Sequence, residues 1–347
     1  MKVLVTGGAG LVGAHACEYY AKQGHEVTAV DNYMRGILFG KMGSTEANAE
    51  FLTKNFPNVK TFNIDIRAEK EMKPLVKDAD LIIHTAAQPS HPKSIEIPIK
   101  DFSINAWGTL SLLETTRKVA EDAVFIHCST NKVYGENPNK IPIIEKETRY
   151  DYADGNDVNE NMPIDQTMHT PFGVSKVAGD LYAQEYGRLY GLKTGIFRMG
   201  CITGPRAMAV EAHNWEPYFM WINLTSKMLN VYGYKGKQVR DVIDARDLVQ
   251  AFDKFFQKPR PGEVYNMGGG RKNSVSLLES FKIIEGITGI PMKYVLKPKR
   301  EGDHKVYVSD LGKVKSHYDW DIKIGLTQIF RDIYNWITQN MSVAVLP

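Results

Sequence analysis

A glycine-rich turn directly after the first predicted strand limits the folds open to this chain more than any other feature. Residues 2–6 are mostly apolar and predict a strand, and Gly8, Gly10 and Gly13 follow in the spacing G-x-G-x-x-G. The first glycine permits a tight turn, the second lets backbone N–H groups approach a pyrophosphate, and the third lets a helix pack closely on the strand. The strand, the turn and the helix that follows together predict a dinucleotide-binding α/β fold.

An acidic residue at the end of the second predicted strand supports this interpretation. Asp31 lies eighteen residues after Gly13, where a carboxylate accepts hydrogen bonds from the adenosine ribose and repels a 2′-phosphate. The alternative is a glycine turn in which Asp31 merely caps a helix. Because the turn, the strand and the acid agree, the sequence favours NAD over NADP as the cofactor.

The rest of the first half alternates short β-branched runs with helical patterns, as in a parallel sheet covered on both faces. We predict a doubly wound parallel Rossmann sheet of six strands, with a smaller C-terminal substrate-binding α/β cap. We predict that residues 1–200, joined by about 236–260, bind NAD and that residues 201–347 bind the substrate. Residues 136–170 break the rhythm, and we interpret them as a long ordered excursion beside the ligand. The predicted strands are Lys2–Thr6, Glu26–Asp31, Val59–Asn63, Leu81–His84, Ala123–Cys128 and Lys193–Arg198.

Charge and cysteine content exclude several functions. The 43 Lys and Arg residues nearly balance 40 Asp and Glu residues, so the net charge of +3 does not predict a nucleic-acid binder. Three cysteines without paired spacing indicate neither a disulfide framework nor a zinc site, and we expect no metal. The apolar runs are shorter than the roughly 20 residues of a membrane span. A cytoplasmic protein is therefore expected.

Four motifs in the order of the chain carry a family resemblance. They are residues 6–13 (TGGAGLVG), 84–88 (HTAAQ), 129–135 (STNKVYG) and 170–176 (TPFGVSK). With these motifs the chain resembles the extended short-chain dehydrogenase/reductase family, the NAD-dependent nucleotide-sugar epimerases and dehydratases. The resemblance implies a retained NAD that oxidises one sugar carbon to a ketone and returns the hydride to the opposite face. It also implies a nucleotide-diphosphate sugar as the ligand and a homodimer formed through two helices, here 99–120 and 171–190.

The resemblance also assigns candidate site residues. Thr130 is the expected hydroxyl partner of the sugar, and Lys176 is expected to hold the nicotinamide ribose and supply positive charge. For Arg240 and Arg300 a surface ion pair remains the alternative to a binding role. For Cys201 the alternative is a small buried side chain without a role in the site. The expected cofactor residues are Gly7, Gly8, Gly10, Leu11, Val12, Gly13, Asp31, Asn32, Asp65, Ile66, Ala86, Ala87, Gln88, Asn105 and Lys176. The expected substrate residues are Gln88, Thr130, Cys201, Arg240, Arg300 and Asp303.

One position departs from the family pattern. Most relatives have tyrosine four residues before the lysine, and Phe172 stands there in this chain. A phenyl ring fills the same volume but exchanges no proton, so the usual general base is absent. The candidates for another proton carrier are Thr130, Lys132, His169 and a tyrosine from the excursion.

Three functions remain open from the sequence. The leading one is an epimerase of a nucleotide-diphosphate sugar. A 4,6-dehydratase is disfavoured, because such relatives carry Asp-Glu after the catalytic threonine and this chain has Asn131 and Lys132. Phe172 alone supports a third function, that of a catalytically impaired protein that binds NAD and a nucleotide sugar.

Overall fold

The computed structural model describes residues 1–211 and 213–340. Its strands are β1 Lys2–Thr6, β2 Glu26–Asp31, β3 Val59–Asn63, β4 Leu81–His84, β5 Val124–Thr130, β6 Ile143–Glu145, β7 Tyr150–Tyr152, β8 Lys193–Met199, β9 Cys201–Thr203, β10 Leu229–Tyr232, β11 Val239–Asp244, β12 Glu263–Met267, β13 Ser274–Ser276, β14 Tyr294–Lys297 and β15 Val306–Tyr307. Its α-helices are α1 Leu11–Lys22, α2 Met34–Phe39, α3 Glu46–Asn55, α4 Glu69–Lys77, α5 His91–Glu96, α6 Pro98–Phe102, α7 Gly108–Val119, α8 Pro171–Tyr190, α9 Trp215–Leu224, α10 Ala245–Gln257, α11 Leu277–Thr288, α12 Gly312–Tyr318 and α13 Leu326–Gln339.

The central sheet confirms the predicted doubly wound α/β class. Its seven strands lie in the order β12-β8-β5-β4-β1-β2-β3, and every neighbouring pair is parallel. Strands β4 and β5 are almost wholly buried because helices cover both faces, which explains their continuous apolar runs. The order reverses between β1 and β4, where the carboxyl ends of the strands open a crevice for a ligand.

The sequence predicted six of these strands and missed the seventh, β12. Strand β12 comes from the C-terminal part of the chain and pairs with β8, and α10 packs against α1 on the same unit. Strand β11, just before α10, instead pairs with β9, β13 and β15 in a smaller sheet. The chain thus crosses between the two units more than once, and the predicted boundary at residue 200 stays a prediction. Residues 212 and 341–347 of the predicted second domain lie outside the described residues.

The predicted excursion packs mainly against the smaller unit. Strands β6 and β7 form an antiparallel hairpin, and the Tyr152 hydroxyl donates a hydrogen bond to the Val306 carbonyl at 2.8 Å. Val158 makes a parallel bridge with Ser309. These contacts order the segment beside the open end of the sheet. Within residues 1–211 and 213–340, no helix has the length and apolar character needed to cross a membrane.

A buried ion pair fixes α8 against the sheet. Arg198 on β8 donates to both carboxylate oxygens of Asp180 on α8, through Nε at 3.0 Å and Nη2 at 2.9 Å. The same carboxylate accepts hydrogen bonds from the Ser129 hydroxyl at 2.6 Å and from the Gln184 amide at 2.6 Å. Such complete hydrogen bonding is what allows two opposite charges to be buried together. Helix α8 is therefore positioned rigidly over β5 and β8.

Candidate active site

A single cleft runs along the carboxyl ends of the central strands and extends to the smaller unit. Its volume is about 770 Å³, and its lining includes Gly10, Asp31, Thr130, Lys176 and Arg300. All the predicted substrate residues and most of the predicted cofactor residues therefore border one continuous space, while Gly8, Gly13 and Asn105 lie outside its lining.

The glycine turn has the geometry that a pyrophosphate needs. Gly7 has φ of +68°, and a Cβ on Gly13 would lie 2.2 Å from the Gly7 carbonyl oxygen. Only glycine fits these two positions without displacing the backbone. Helix α1 starts at Leu11 without a side-chain cap on Gly10, so the N–H groups of its first turn are open to an anionic ligand. These residues fit the diphosphate of NAD.

Asp31 is joined to the glycine turn by hydrogen bonds. Its carboxylate accepts from the backbone N–H of Ala9 at 3.1 Å and of Tyr33 at 2.9 Å. Burial raises the pKa of Asp31, while these N–H donors and the nearby Arg35 oppose that change. The carboxylate is thus oriented at the place predicted for the adenosine ribose.

A second acidic group lies farther along the adenosine side. The Asn32 amide donates to Asp65 at 3.0 Å, and Asp65 is paired with Arg67 at 2.6 Å. The hydrogen bonds from Arg67 lower the pKa of Asp65. Asn32, Asp65 and Ile66 all line the cleft, so the structure brings these three predicted cofactor residues together.

The loop after β4 contributes both a wall and its support. Ala86 and Ala87 line the cleft. The Gln88 amide donates to the Asp101 carboxylate at 2.7 Å, and the Asn105 amide donates to the Gln88 carbonyl at 3.1 Å. The side chain of Gln88 is only 1% exposed, because these bonds hold it inside the protein. Gln88 and Asn105 thus shape the loop, and their contact with a ligand stays a prediction.

Lys176 and Thr130 face the middle of the cleft. Lys176 lies one turn after Phe172 on α8, and its Nζ donates to the Cys128 carbonyl at 2.7 Å. Burial lowers the pKa of Lys176 to about 8. Thr130 ends β5, and its hydroxyl accepts a hydrogen bond from the Lys132 backbone N–H at 3.3 Å. The buried Phe172 ring also lines this space, so the three positions come together as the resemblance implies.

The structure separates the candidates for another proton carrier. Both ring nitrogens of His169 lie against backbone carbonyls, at 2.9 Å from Val133 and 3.2 Å from Thr167, and His169 is not among the cleft residues. The two tyrosines of the excursion, Tyr150 and Tyr152, are not among the cleft residues, and the Tyr152 hydroxyl donates to the Val306 carbonyl. Lys132 lines the cleft, but its Nζ donates to the Gly302 carbonyl at 2.9 Å. Burial lowers the pKa of Lys132 to about 8.

The far end of the cleft holds the two predicted arginines. Arg240 forms an ion pair with Asp303, and Arg300 lies over the Tyr232 ring with 3.8 Å between its guanidinium carbon and the ring centroid. Both guanidinium groups border the cleft and suit phosphate oxygens. Cys201 lies near them, and burial raises the pKa of its thiol to about 12, so the thiol stays neutral.

Arg35, Glu216 and His91 are among the cleft residues that sequence reasoning missed. Arg35 lies near Asp31, Glu216 lies near Arg240, and the His91 ring contacts the Phe172 ring. His91 follows the carboxyl end of β4, where parallel sheets bind ligands, and this position could have indicated it. Glu216 is a lone acid in the apolar α9, only 2% exposed, and burial raises its pKa to about 8.

The fold and the glycine turn define an NAD-binding α/β enzyme, and comparison with known proteins gives the family. Residues 3–268 match the NAD dependent epimerase/dehydratase family. The chain belongs to that family, and its cofactor is NAD.

Individual relatives cover almost the whole chain. CDP-paratose 2-epimerase of Salmonella typhi is 34% identical, over 97% of this chain and 99% of the relative. The UDP-glucose 4-epimerase of Thermotoga maritima, solved with UDP-glucose, is 26% identical with a TM-score of 0.82, covering 98% of this chain and 100% of that one. The UDP-glucuronic acid 4-epimerase of Bacillus cereus, solved with UDP-glucuronic acid and NAD, is 25% identical with a TM-score of 0.82, over 98% and 99% of the two chains.

Replacement of Asp31 tests the preference for NAD over NADP. Asp31→Ser removes the negative charge that faces a 2′-phosphate, so NADP affinity should rise about tenfold, or roughly 1.4 kcal/mol, relative to NAD affinity. Titration of both cofactors into stripped protein measures this ratio. Asp65→Ser is the control, because it also removes a carboxylate but leaves the ribose position unchanged. An unchanged ratio in Asp31→Ser would contradict the assignment.

Glu216 should make stability depend on pH. Its folded-state pKa of about 8 lies above the ordinary value of 4.5, so its stabilising contribution is present below about pH 4.5 and is lost as the pH rises towards 8. Wild type should lose roughly 4 kcal/mol of unfolding free energy between pH 5 and pH 8.5 because of Glu216. Glu216→Gln has a side chain of similar size that does not ionise, so this loss should be absent from the variant. Urea unfolding at both pH values measures this difference. Equal pH dependence in the two proteins would show that folding does not raise the pKa of Glu216.

Proposed function

We propose that the chain is an NAD-dependent epimerase of a nucleotide-diphosphate sugar. In this reaction a ring carbon is oxidised transiently to a ketone and the hydride returns to the opposite face. The proposal includes a cytoplasmic location, which three free cysteines favour.

The observation that carries the proposal is the continuity of the cleft. The glycine turn and Asp31 lie at one end, Arg240 and Arg300 lie at the other, and Lys176 lies between them. A dinucleotide at the first end and a diphosphate at the second would bring a nicotinamide and a sugar together near Lys176. Proximity of this kind is a large part of what such an enzyme supplies.

The side chains of the cleft have separate roles in this proposal. NAD, when bound, supplies a nicotinamide that accepts a hydride from the sugar carbon and gives it back. The Lys176 ammonium holds the nicotinamide ribose and places positive charge near the reacting oxygen. The Thr130 hydroxyl donates a hydrogen bond to that oxygen as it gains negative charge. Arg240 and Arg300 bind the diphosphate and orient the sugar.

A dehydratase is the weaker alternative. Removal of water from a sugar needs an acid and a base beside Thr130, where this chain has Asn131 and Lys132. Asn131 is only 6% exposed, and Nζ of Lys132 is directed to the Gly302 carbonyl. Neither residue supplies the carboxylic acid of that reaction.

Product analysis tests the proposal. The protein with NAD is incubated with CDP- and UDP-sugars, and the products are examined by NMR spectroscopy for an inverted ring carbon without loss of water. An inverted sugar supports an epimerase, whereas a deoxy-keto product identifies a dehydratase. Binding of the nucleotide sugar without any product would favour a ligand-binding protein.

The arginines are expected to bind the diphosphate. Arg240→Ala or Arg300→Ala should each weaken nucleotide-sugar binding by about 2 kcal/mol and leave NAD affinity nearly unchanged, because each removes a charge-assisted hydrogen bond to phosphate. Calorimetry measures both affinities. Arg271→Ala is the matched control, since Arg271 pairs with Asp157 outside the cleft lining. Wild-type affinity in both cleft variants would refute the diphosphate site.

The proposed homodimer is supported by apolar side chains that helices α6 to α8 expose. Ile99 is 85% exposed, Trp107 54%, Val174 56% and Leu181 45%. We expect a mass of twice 39.1 kDa in solution, measured by light scattering. Trp107→Arg combined with Leu181→Arg should produce monomers, because charges are costly in an apolar interface. Leu296→Arg, on the exposed strand β14, should leave the dimer intact. A monomeric wild-type protein would contradict the proposal.

A further inference from the structure

The position of Phe172 has a histidine beside it. The rings of His91 and Phe172 are in edge-to-face contact, with 4.7 Å between their centroids. Both residues line the cleft that also contains Thr130 and Lys176. His91 therefore places an imidazole in contact with the residue that replaces the usual tyrosine.

One hydrogen bond of His91 involves Nδ1 and leaves Nε2 facing the cleft without a partner among the described residues. Nδ1 lies 2.9 Å from the Thr170 hydroxyl oxygen, and that oxygen also accepts the N–H of Gly173 at 3.4 Å at the start of α8. The hydroxyl can accept from Nδ1–H through its second lone pair, or it can donate its own O–H to Nδ1. A free lone pair on Nε2 requires the first arrangement, in which Nδ1 carries the proton of neutral His91.

The other titratable groups of the cleft are less suited to receive a proton. The Lys176 ammonium donates to the Cys128 carbonyl, and the Lys132 ammonium donates to the Gly302 carbonyl. A hydroxyl such as that of Thr130 is a poor base without a partner that takes its proton. Burial raises the pKa of Glu216 to about 8, so at lower pH its carboxyl group already carries a proton.

We infer that Nε2 of His91 accepts the sugar proton in place of the absent tyrosine, with Thr170 as a positioning residue. The inference rests on the proposed epimerase function. In the oxidation step the O–H bond of the sugar breaks and its proton goes to Nε2. The C–H hydrogen leaves with its electron pair to the oxidised nicotinamide, and the carbon and oxygen become a ketone. In the reduction step the hydride returns to the other face and Nε2–H gives its proton back.

Charges around His91 fit a base that acts only in the complex. Burial and the cations Lys132 and Arg240, with His213, hold the pKa of His91 well below its ordinary value. The imidazole is therefore neutral in the free protein. A bound diphosphate would offset the charge of these cations and raise the proton affinity of Nε2 when the sugar is present.

Turnover of the wild type and of four variants tests the inference, and Phe172→Tyr alone is one of these variants. His91→Gln should lower kcat at least about 100-fold, the usual contribution of a positioned base, while KM and NAD affinity stay near wild type. His91→Gln with Phe172→Tyr should recover at least about tenfold, because the phenol beside Lys176 restores a proton acceptor. His25→Gln, a histidine outside the cleft lining, is the control and should retain wild-type kcat. Thermal unfolding of each variant checks that it folds.

The outcomes separate this inference from the proposed function. Full activity of His91→Gln would overturn the role of His91 and leave the epimerase standing. If the wild type is inactive and its Phe172→Tyr variant is active, His91 does not accept the sugar proton. If neither the wild type nor any variant acts on CDP- or UDP-sugars, the proposed function fails. The inference about His91 is then tested by the position of its ring proton.

Nitrogen NMR of histidine-labelled protein gives that independent measurement. With NAD bound, His91 should show a protonated Nδ1 and a bare Nε2, and addition of CDP should raise its pKa. His91→Gln assigns the signals. A bare Nδ1 with Nε2 protonated, or a pKa unaffected by both CDP and UDP, would overturn the inference whatever the turnover.

Discussion

The ion pair between Asp180 and Arg198 holds the helix that carries the candidate catalytic residues against the central sheet. Asp180 lies one turn after Lys176 on α8, and the same carboxylate accepts the hydroxyl of Ser129, the residue before Thr130. One buried group therefore sets the distance between the helix and the strand end at the middle of the cleft. Because both charges are removed from water and fully bonded, loss of either partner would leave an unpaired buried charge. The site thus depends on a packed network rather than on loops.

Burial then determines the chemistry of the groups that this network positions. It lowers the pKa of Lys132 and of Lys176 to about 8 and raises that of Glu216 to about 8. All three pKa changes have the same cause, because burial destabilises the charged form of both lysine and glutamate. The side chains are therefore near their titration points at neutral pH. An anionic ligand favours the charged lysines, so ligand binding and proton affinity are coupled in this cleft.

Much of the fold could be predicted because local signals and the global fold agree. The glycine spacing, Asp31 and the alternation of strands and helices each have a short-range physical cause, and six strands of the sheet follow from them. Strand β12 was missed because it is separated from its partner β8 by a long segment of the chain that forms part of the smaller unit. A pairing between such distant segments leaves no short-range pattern in the sequence. Helix 99–120 was predicted as continuous, but Ser103–Trp107 forms a π-helical turn between α6 and α7. That turn places the Asn105 amide against the Gln88 carbonyl.

The sequence by itself determined the family, the cofactor turn and the absence of a tyrosine at position 172, because these depend on residue identity at fixed spacing. Only the tertiary structure decided which residues surround that position. His91 and Phe172 are far apart in the chain and meet because α5 packs against α8. His169 is only three residues from Phe172, yet its ring is bound by backbone carbonyls. Proximity in the chain did not predict proximity in the cleft, because the contacts of a side chain are set by the packing of whole helices and strands.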